Sequence, residues 1–342
     1  MSAVESVRTQ IEQEQEQMTK AQSERVWEVV QKTRSKPSVP ISSSLRVDAP
    51  RSRDQARVFE NIARVLGQPF YSASGCSIYN MDCLEAMKSM PDPFVDLTVT
   101  SPPYNIGKIY EQPLPLEQYL DWCANWIVQV HRLTVQGGSF WLNLGYLSIP
   151  ARAKAIPIPY LLWERVPFFL LQEIVWNYGA GVAGKRFFSP RNEKFLWYVK
   201  DEDNYVFNLD DVRDPNVKYP NQKKNGRLKC NPLGKNPSDV WEFPKVTSGE
   251  DRSSSERTAH PAQFPEAVVS RIMRASSNVG QMVFDPFIGS GTTAIVALQE
   301  RRRVLGFEIN ADYCKIAADR IDNYLRTQEL GEQLTLVLEG QL

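Results

Sequence analysis

Residues 101–104, Ser-Pro-Pro-Tyr, combine groups that suit a flat polar ligand. They follow a short apolar run, 94–99, whose β-branched residues are typical of a buried parallel strand. The prolines fix their own backbone and lack N–H groups, so nearby carbonyls and the Ser101 hydroxyl form a rigid set of acceptors beside the Tyr104 ring. This set suits a planar group with an amino substituent, such as a nucleobase turned out of its helix. The alternative is a proline turn that only closes a strand.

A second candidate segment lies much later, at 285–293, between a predicted strand over 281–284 and a predicted helix over 294–301. Its residues are Asp-Pro-Phe-Ile-Gly-Ser-Gly-Thr-Thr. Gly289 and Gly291 would allow a tight turn that brings a ligand close to the start of the helix, as in dinucleotide sites. A Gly-x-Gly pair alone is a weak signal, and its place between a strand and a helix makes it informative.

The next predicted strand, 303–307, ends at Glu308, where an acidic side chain is placed to bind ribose hydroxyls. The turn before it lacks the full Gly-x-Gly-x-x-Gly pattern expected for a pyrophosphate and the Gly-Lys-Ser/Thr ending of a P-loop. We therefore expect a nucleoside ligand without phosphates, such as S-adenosylmethionine. Because its sulfonium already activates the methyl group, no metal is required.

Hydrophobic periodicity places these segments in an α/β chain. We predict strands over 77–80, 94–99, 139–144, 171–176, 194–199, 205–207, 281–284 and 303–307. We predict helices over 54–66, 83–90, 117–133, 156–166, 294–301 and 311–325. Gly137 and Gly138 are predicted to form a turn before the strand over 139–144.

Length and composition are those of an ordinary globular protein, with 342 residues, of which 42% are hydrophobic. The 40 basic and 40 acidic residues cancel, so net charge neither favours nor excludes a nucleic-acid partner. No apolar run reaches membrane-spanning length, and the first residues lack the pattern of a secretion signal. The five cysteines lack the close pairs typical of zinc or redox motifs, so we expect reduced thiols in a cytoplasm.

The stretch from 177 to 260 differs from the rest, because Asn, Pro, Gly and basic residues separate its apolar runs. Residues 218–235 contain six basic and no acidic residues, with Asn and Tyr between them. This pattern suits phosphate and base-edge contacts in a DNA groove, with a solvated loop as the alternative. Only the motifs on either side of it favour recognition.

Together the motifs resemble those of the amino-methylating DNA methyltransferases of the β arrangement, in which the catalytic half precedes a target-recognition region and the cofactor half follows. The resemblance includes, in the same order, residues 80–84, 101–104, 185–193, 239–241, 260–266 and 285–293. It implies a Rossmann-like methyltransferase sheet with helices on both faces, an inserted target-recognition region and an N-terminal helical arm. The implied parts are the arm and linker at 1–53, the catalytic half at 54–176, the target-recognition region at 177–260, the cofactor half at 261–330 and a tail at 331–342.

The resemblance also implies roles for individual residues. The catalytic corner would be Ser101, Pro102, Pro103 and Tyr104. The residues around S-adenosylmethionine would be Asp82, Asp285, Phe287, Gly289, Gly291, Thr292, Glu308, His260 and Pro261. Among these, Phe287 and the two glycines would surround the methionine part, Glu308 the ribose and Asp82 the adenine. DNA contacts would come from Lys185, Arg186, Lys218, Lys223, Lys224, Arg227 and Lys229.

The chemistry follows from charge, since an exocyclic amino nitrogen is a weak nucleophile whose lone pair is delocalised into the ring. Acceptors such as the Ser101 hydroxyl and the Pro102 carbonyl would draw on its hydrogens, while Tyr104 stacks on the base. Cytosine-5 chemistry needs a thiolate, which commonly follows a proline in that family, and no Cys follows Pro here. Ser at the first position of the tetrapeptide usually marks cytosine N4 methylation in the family, and Asp or Asn usually marks adenine N6.

The expected function is sequence-specific methylation of the N4 amino group of a flipped cytosine in duplex DNA, alongside a cognate restriction endonuclease. Adenine N6 methylation stays open as an alternative, and so does an RNA or protein-amide acceptor. A DNA-binding module without turnover and a nicotinamide oxidoreductase are weaker alternatives. The expected setting is the cytoplasm, without a membrane, and a homodimer is a further expectation from the family.

Overall fold

The computed structural model describes residues 49–91, 93–109, 111–179, 183–246 and 256–338. The helices are α1 (Ala49–Leu66), α2 (Cys83–Ser89), α3 (Leu116–Leu133), α4 (Ile158–Leu162), α5 (Leu209–Val212), α6 (Glu266–Ser276), α7 (Thr292–Gln299) and α8 (Ala311–Leu338). The strands are β1 (Tyr71–Ala73), β2 (Cys76–Asn80), β3 (Val95–Thr100), β4 (Thr134–Leu144), β5 (Tyr146–Ile149), β6 (Ala153–Pro157), β7 (Phe169–Asn177), β8 (Asn192–Val199), β9 (Lys223–Lys224), β10 (Arg227–Leu228), β11 (Val240–Glu242), β12 (Met282–Asp285) and β13 (Arg303–Glu308). Most of the predicted N-terminal arm lies outside the described residues.

The main sheet contains nine of these strands in the order β1-β2-β13-β12-β3-β4-β8-β7-β11. From β2 to β4 all neighbours are parallel, as expected for strands joined by helical crossovers. β12 and β13 come late in the sequence, yet they lie between β2 and β3. The centre of the sheet is therefore built from segments that are far apart in the chain.

Helices cover both faces of the sheet, which confirms the predicted α/β fold. On one face α1 to α4 pack around a core that includes Trp126, Phe140 and Phe284. On the other face α6 to α8 pack around a core that includes Ile272 and Val283. The strands between the two layers are buried on both sides, which explains why they read as continuous apolar runs.

The predicted turn at Gly137 and Gly138 is wrong, because β4 begins at Thr134 and runs through both glycines. The register between β3 and β4 shifts at this point. A Cβ atom on Gly138 would lie 2.5 Å from Cγ2 of Thr134 and 3.0 Å from the Asp96 carbonyl oxygen. Gly138 is therefore a glycine that permits an irregularity within a strand rather than one that ends it.

Two other predicted elements differ from the observed ones. The predicted strand over 205–207 is not formed, and its outer rings, Tyr205 and Phe207, instead pack against Trp197 at centroid distances of 5.8 and 5.4 Å. The predicted helix over 156–166 is broken into the end of β6, the short α4 and a 3-10 turn, with Pro157 at the N-cap of α4. In the second case the prolines at 157 and 159 limit the length of the helix.

Two helices are longer than the predicted helices over 54–66 and 311–325. α1 begins at Ala49, inside the predicted linker, and α8 continues to Leu338, well into the predicted tail. Within the described ranges, no helix is both long and apolar enough to cross a membrane.

Candidate active site

The carboxyl ends of β3 and β12 lie side by side, at the point where the strand order reverses. Thr98 of β3 is in register with Phe284 of β12, so the two segments that follow start at the same edge of the sheet. Next to β12, β13 ends at Glu308, in register with Asn80 of β2. Open α/β sheets bind ligands in the crevice at such a switch point.

A cavity of about 750 Å³ opens at this edge. The predicted site residues that line it are Ser101, Pro102, Pro103, Tyr104, Asp82, Asp285, Phe287, Gly289, Thr292, Glu308, His260 and Pro261. Ligand pockets usually measure about 300–1,000 Å³. The space therefore suffices for a small molecule, and the two candidate segments face it together.

Gly291 is the predicted cofactor residue that the structure places elsewhere. It has a φ angle of 80° and precedes α7. A Cβ atom at this position would lie 2.8 Å from the Cβ of Ala317 in α8. The structure thus assigns Gly291 to the close packing of two helices and to the turn, and not to the cavity wall.

The side chain of Ser101 belongs to a hydrogen-bonded cluster at the end of β3. Its Oγ lies 2.9 Å from the Tyr104 hydroxyl and 3.3 Å from Oδ1 of Asn143. The Tyr104 hydroxyl donates to the same Oδ1 at 2.8 Å. The amide of Asn143 is held by its Nδ2, which donates to the Lys194 carbonyl at 3.0 Å. Oδ1 of Asn143 therefore faces the cluster as an acceptor.

The backbone after Ser101 is held as firmly as its side chain. Oε1 and Oε2 of Glu111 accept hydrogen bonds from the backbone N–H groups of Tyr104 and Ile106, each at 2.8 Å. The hydroxyl of Tyr119 on α3 donates to the Pro103 carbonyl at 2.9 Å. The proline corner is consequently fixed from both sides.

The structure brings further residues to this part of the cavity that sequence reasoning missed. They are Asn143, Tyr146, Trp176, Tyr178, Glu193 and Lys245. Asn143 lies in β4, Tyr146 begins β5, Glu193 lies in β8, and Lys245 comes after β11. No motif links these positions, although Glu193 closes the stretch 185–193 that carries part of the resemblance. Only the sheet order could place them beside Ser101.

Asp285 lies at the junction between the two candidate segments and is fully buried. Its Oδ1 accepts from Thr100 Oγ1 at 2.6 Å and from the Phe287 N–H at 3.0 Å. Its Oδ2 accepts from Thr293 Oγ1 at 2.6 Å. Burial raises the pKa of Asp285 to about 6, although these hydrogen bonds act in the opposite direction.

Glu308 organises the turn on the other side of the cavity. Its Oε2 accepts from the Gly289 N–H at 3.1 Å, and its Oε1 accepts from the Asn310 N–H at 2.8 Å. Burial raises the pKa of the Glu308 carboxyl. A carboxylate offers about four lone-pair positions, so acceptor capacity remains for a ligand.

His260 closes the cavity over the glycine turn. A Cβ atom on Gly289, whose φ angle is 52°, would lie 3.1 Å from Nε2 of His260. The ring also makes an edge contact with Tyr313, with centroids 4.3 Å apart. Burial lowers the pKa of His260, so the ring is neutral near pH 7. The segment around His260 and Pro261 therefore packs against the turn.

Asp82 and Phe287 each have a structural contact besides their place at the cavity. Oδ1 of Asp82 accepts from the Glu85 N–H at 3.0 Å and so caps α2. The Phe287 ring packs against Trp122 and Trp126, with centroids 5.6 and 5.2 Å apart. Trp122 and Trp126 of α3 thus support the turn after β12 through the Phe287 ring.

The predicted DNA-contacting residues do not line the cavity and are exposed. They are Lys185, Arg186, Lys218, Lys223, Lys224, Arg227 and Lys229. β9 and β10 pair as a hairpin that presents Lys223, Lys224 and Arg227. Its turn contains Asn225 and Gly226 with φ angles of 52° and 77°, the type of turn that Asn-Gly favours. This hairpin was not predicted, because its strands of two residues each are too short to show an alternating pattern.

Comparison with known sequences gives a consistent result. A model of the DNA methylase family matches residues 95–319. The chain is 61% identical over 262 residues to the Type II methyltransferase M.ScaI of Streptomyces caespitosus, covering 77% of this chain and 86% of that protein. It is 40% identical to the Type II methyltransferase M.BglII of Bacillus subtilis, covering 70% and 67%. It is 34% identical to the DNA adenine methyltransferase YhdJ of Escherichia coli K12, covering 72% and 82%.

Comparison with solved structures shows the same fold. The cytosine-N4-specific PvuII DNA methyltransferase superposes with a TM-score of 0.59 at 22% sequence identity, covering 73% of this chain and 88% of that chain. The complex of M1.HpyAVI with SAM superposes with a TM-score of 0.50 at 24% identity, covering 72% and 98%. The large sheet with helices on both faces is therefore the methyltransferase fold.

Proposed function

The chain belongs to the DNA methylase family, and we propose that it transfers a methyl group from S-adenosylmethionine to the N4 amino group of a cytosine flipped out of duplex DNA. DNA methylation as such follows from the family. The choice of amino group, the roles of individual residues and the partners are the proposal.

One observation supports the proposal above all others. The Ser-Pro-Pro-Tyr corner and the Gly289 turn, far apart in sequence, open onto the same cavity of about 750 Å³. A methyl donor held by the turn would lie against an amino group held at the corner. In-line transfer then depends mainly on positioning the two reactants.

The cofactor side has the groups that a nucleoside with a charged methyl donor requires. S-adenosylmethionine, which the methyltransferase family uses, supplies an activated methyl group when it is bound. We assign the ribose to the free acceptor positions of Glu308, the adenine to the region of Asp82, and the methionine part to the turn from Asp285 to Gly289, with Thr292, His260 and Pro261 around it. The positive φ angle of Gly289 and the 3.1 Å distance that a Cβ atom there would have to Nε2 of His260 disfavour any residue other than glycine.

On the base side, Ser101 serves as the acceptor that makes the amino nitrogen nucleophilic. Oδ1 of Asn143 can take hydrogen bonds from both hydroxyls, Ser101 and Tyr104. With its own hydrogen turned toward that cluster, the Ser101 oxygen offers a lone pair to an amino N–H group. The Pro102 carbonyl is the second acceptor, and the fixed corner avoids reorganisation during the reaction.

The assignment to cytosine N4 rests on Ser101, since Ser at this position is typical of that subtype in the family the chain resembles. Adenine N6 is the second candidate, which the relationship to the DNA adenine methyltransferase YhdJ favours. An acceptor other than DNA is disfavoured by the family match.

DNA would be held by the exposed basic residues of the region from 177 to 260, which we propose as the target-recognition region. The relatives M.ScaI and M.BglII are Type II methyltransferases, which supports a cognate restriction endonuclease as functional partner. A cytoplasmic location and a homodimer remain predictions.

The test is transfer of labelled methyl from S-adenosylmethionine to duplex DNA by the full chain, followed by digestion to nucleosides. We expect label in N4-methylcytosine. Label in N6-methyladenine would change the assigned acceptor from cytosine N4 to adenine N6. Methyl transfer to RNA or protein but not to DNA would overturn the proposal. Sequencing methylated plasmid at single-base resolution would then give the recognition site.

A further inference from the structure

We propose that the ion pair between Lys245 and Glu193 recognises the ring edge of the target base, with the Lys245 ammonium donating to the O2 carbonyl of cytosine. This inference rests on the proposed function and adds the residues that choose between bases. Neither residue belongs to the catalytic corner at 101–104 or to the turn at 285–293, although Glu193 closes the stretch 185–193 that carries part of the family resemblance.

The two side chains form a charged pair in the wall of the cavity. Nζ of Lys245 lies 2.7 Å from Oε1 of Glu193, and the side chains are 24% and 16% exposed. Both residues line the cavity that also contains Ser101. A largely buried cation needs a partner, and Glu193 provides it.

The pair is connected to the acceptor that would hold the amino group. Oε2 of Glu193 lies 3.3 Å from the Tyr104 hydroxyl oxygen, as an alternative acceptor to Asn143, and that hydroxyl oxygen lies 2.9 Å from Oγ of Ser101. Ser101, Tyr104, Glu193 and Lys245 therefore follow one another along one wall. An acceptor stands at one end of this wall and a cationic donor at the other.

Aromatic rings fix the position of the ammonium. Nζ of Lys245 lies 3.8 Å from the centroid of the Tyr178 ring and 5.8 Å from that of Trp176. Both rings also line the cavity. Cation–π attraction holds the ammonium at these ring faces. An ammonium has three donors; Glu193 and Tyr178 engage two of them, so one donor remains for a ligand.

This order of groups matches cytosine and does not match adenine. On its Watson–Crick edge cytosine presents an amino group, a ring nitrogen acceptor and a carbonyl oxygen, whereas adenine presents an amino group, a ring nitrogen and a C–H. Ser101 would accept from the amino group of either base. Only cytosine offers an acceptor where Lys245 would donate, and an unpaired donor against the C–H of adenine is unfavourable.

The experiment compares the full-length protein with the Lys245→Met variant, which keeps an unbranched stem and removes the charge. Three duplexes carry the mapped recognition site with cytosine, adenine or an abasic residue at the target position. We expect the single-turnover rate on cytosine to fall roughly tenfold or more. We expect affinity for the abasic duplex, which has no ring to recognise, to stay within about twofold.

Lys108→Met is the matched control, because Lys108 lines the same cavity from the loop after Ser101. It should keep the wild-type ratio of cytosine to adenine methylation. Lys245→Arg, which retains a cation beside Glu193, should recover most of the preference. Cofactor affinity and the melting temperature of each variant show whether it is folded.

Two outcomes would overturn the inference. An equal loss of affinity for the cytosine and abasic duplexes would mean that Lys245 contacts a phosphate. An unchanged rate on cytosine in a folded variant would mean that the ion pair only ties the segment after β11 to β8. If the wild-type protein instead methylates adenine, the proposed cytosine N4 function itself is wrong. That result comes from the wild-type protein alone, so it is distinguishable from a failure of the inference about Lys245.

Discussion

The two sides of the cavity are made rigid by different means. On the side of β3 and β4, side chains provide the rigidity, because two prolines fix the backbone and Tyr104 and Asn143 hold the Ser101 hydroxyl. On the side of β12 and β13, the backbone provides it, because Gly289 takes a positive φ angle and Glu308 accepts a hydrogen bond from its N–H. The first side controls the direction of a few acceptors, and the second creates space for a larger molecule.

Asp285 joins the two sides. It takes a hydrogen bond from Thr100, the last residue of β3, and others from Phe287 and Thr293 in the turn and helix after β12. The relative position of donor and acceptor sites therefore depends on one buried carboxylate. The comparison predicts separable effects on catalysis, on cofactor binding and on stability.

The largest effect is expected for Ser101→Ala, which removes an acceptor on the base side and nothing on the cofactor side. The single-turnover rate of methyl transfer should fall by about a hundredfold or more, similar to the loss of one oriented group in other active sites. Affinity for S-adenosylmethionine should not change. A comparable loss of cofactor affinity would contradict the separation of the two sides. Ser72→Ala, on the edge strand β1, is the control.

A smaller effect is expected for Glu308→Gln, and it should fall on cofactor affinity instead of on the transfer rate. Its amide keeps one acceptor for the two backbone N–H groups and the ribose, so the dissociation constant for S-adenosylmethionine should rise by roughly tenfold to a hundredfold. The rate at saturating cofactor should stay close to that of the wild type. A fall in that rate with unchanged affinity would show that Glu308 acts on the base side. Glu300→Gln gives the control for a loss of charge outside the cavity.

Asp285→Asn should act on both sides through stability. Near pH 7 the NH₂ group of the new amide side chain would face one of the groups that donate to Asp285, which are Thr100, Phe287 and Thr293. Two donors facing each other should lower the free energy of unfolding by about 1–3 kcal/mol. Urea denaturation measures this loss. Asp203→Asn, at an exposed position, should change little.

The same variant tests the titration of Asp285. Burial raises its pKa from 3.8 to about 6, so the folded protein binds this proton more tightly than the unfolded chain does. The contribution to stability is full below pH 3.8 and is lost as the pH rises to about 6. The free energy of unfolding of the wild type, relative to Asp285→Asn, should therefore decrease across this range and stay constant above it. A constant difference throughout would show that the hydrogen bonds keep the carboxylate ionised.

The smallest effect is expected outside the cavity, for Lys223→Gln combined with Lys224→Gln in the β9–β10 hairpin. DNA affinity should fall several-fold, and the slope of log affinity against log salt should decrease by about 0.9 for each phosphate that the variant no longer neutralises. The transfer rate at saturating DNA should not change. An unaltered salt dependence would remove this hairpin from the DNA interface. Lys88→Gln and Lys315→Gln, both on exposed helix surfaces, provide the comparison.

The sequence was sufficient where a local pattern has a local cause. The run before Ser101 is a strand because β-branched residues fit a sheet that is buried on both faces. α3 forms where it was predicted because its apolar residues recur at helical spacing, and the resulting face, which includes Tyr119, Trp126 and Val130, is buried. The turn at Gly289 follows from glycine itself, which takes a positive φ angle at low cost.

The sequence misled where glycine or aromatic residues serve a distant contact. Gly138 leaves room for the Asp96 carbonyl of β3, and Gly291 makes room for Ala317 of α8. The rings of Tyr205 and Phe207 pack on Trp197 of β8 instead of forming a strand. In each case the deciding neighbour belongs to another element, which a local pattern does not include.

The residue types of the active site, the corner and the glycine turn were determined by the sequence alone, because each is a short segment with its own backbone requirements. Which residues surround Ser101 was decided by the tertiary structure. Asn143, Glu193 and Lys245 reach it from β4, β8 and the segment after β11, and no spacing in the chain relates them. The insertion of β12 and β13 between β2 and β3 is what brings the two segments to one edge, since hydrogen bonding between strands joins residues without regard to their distance in sequence.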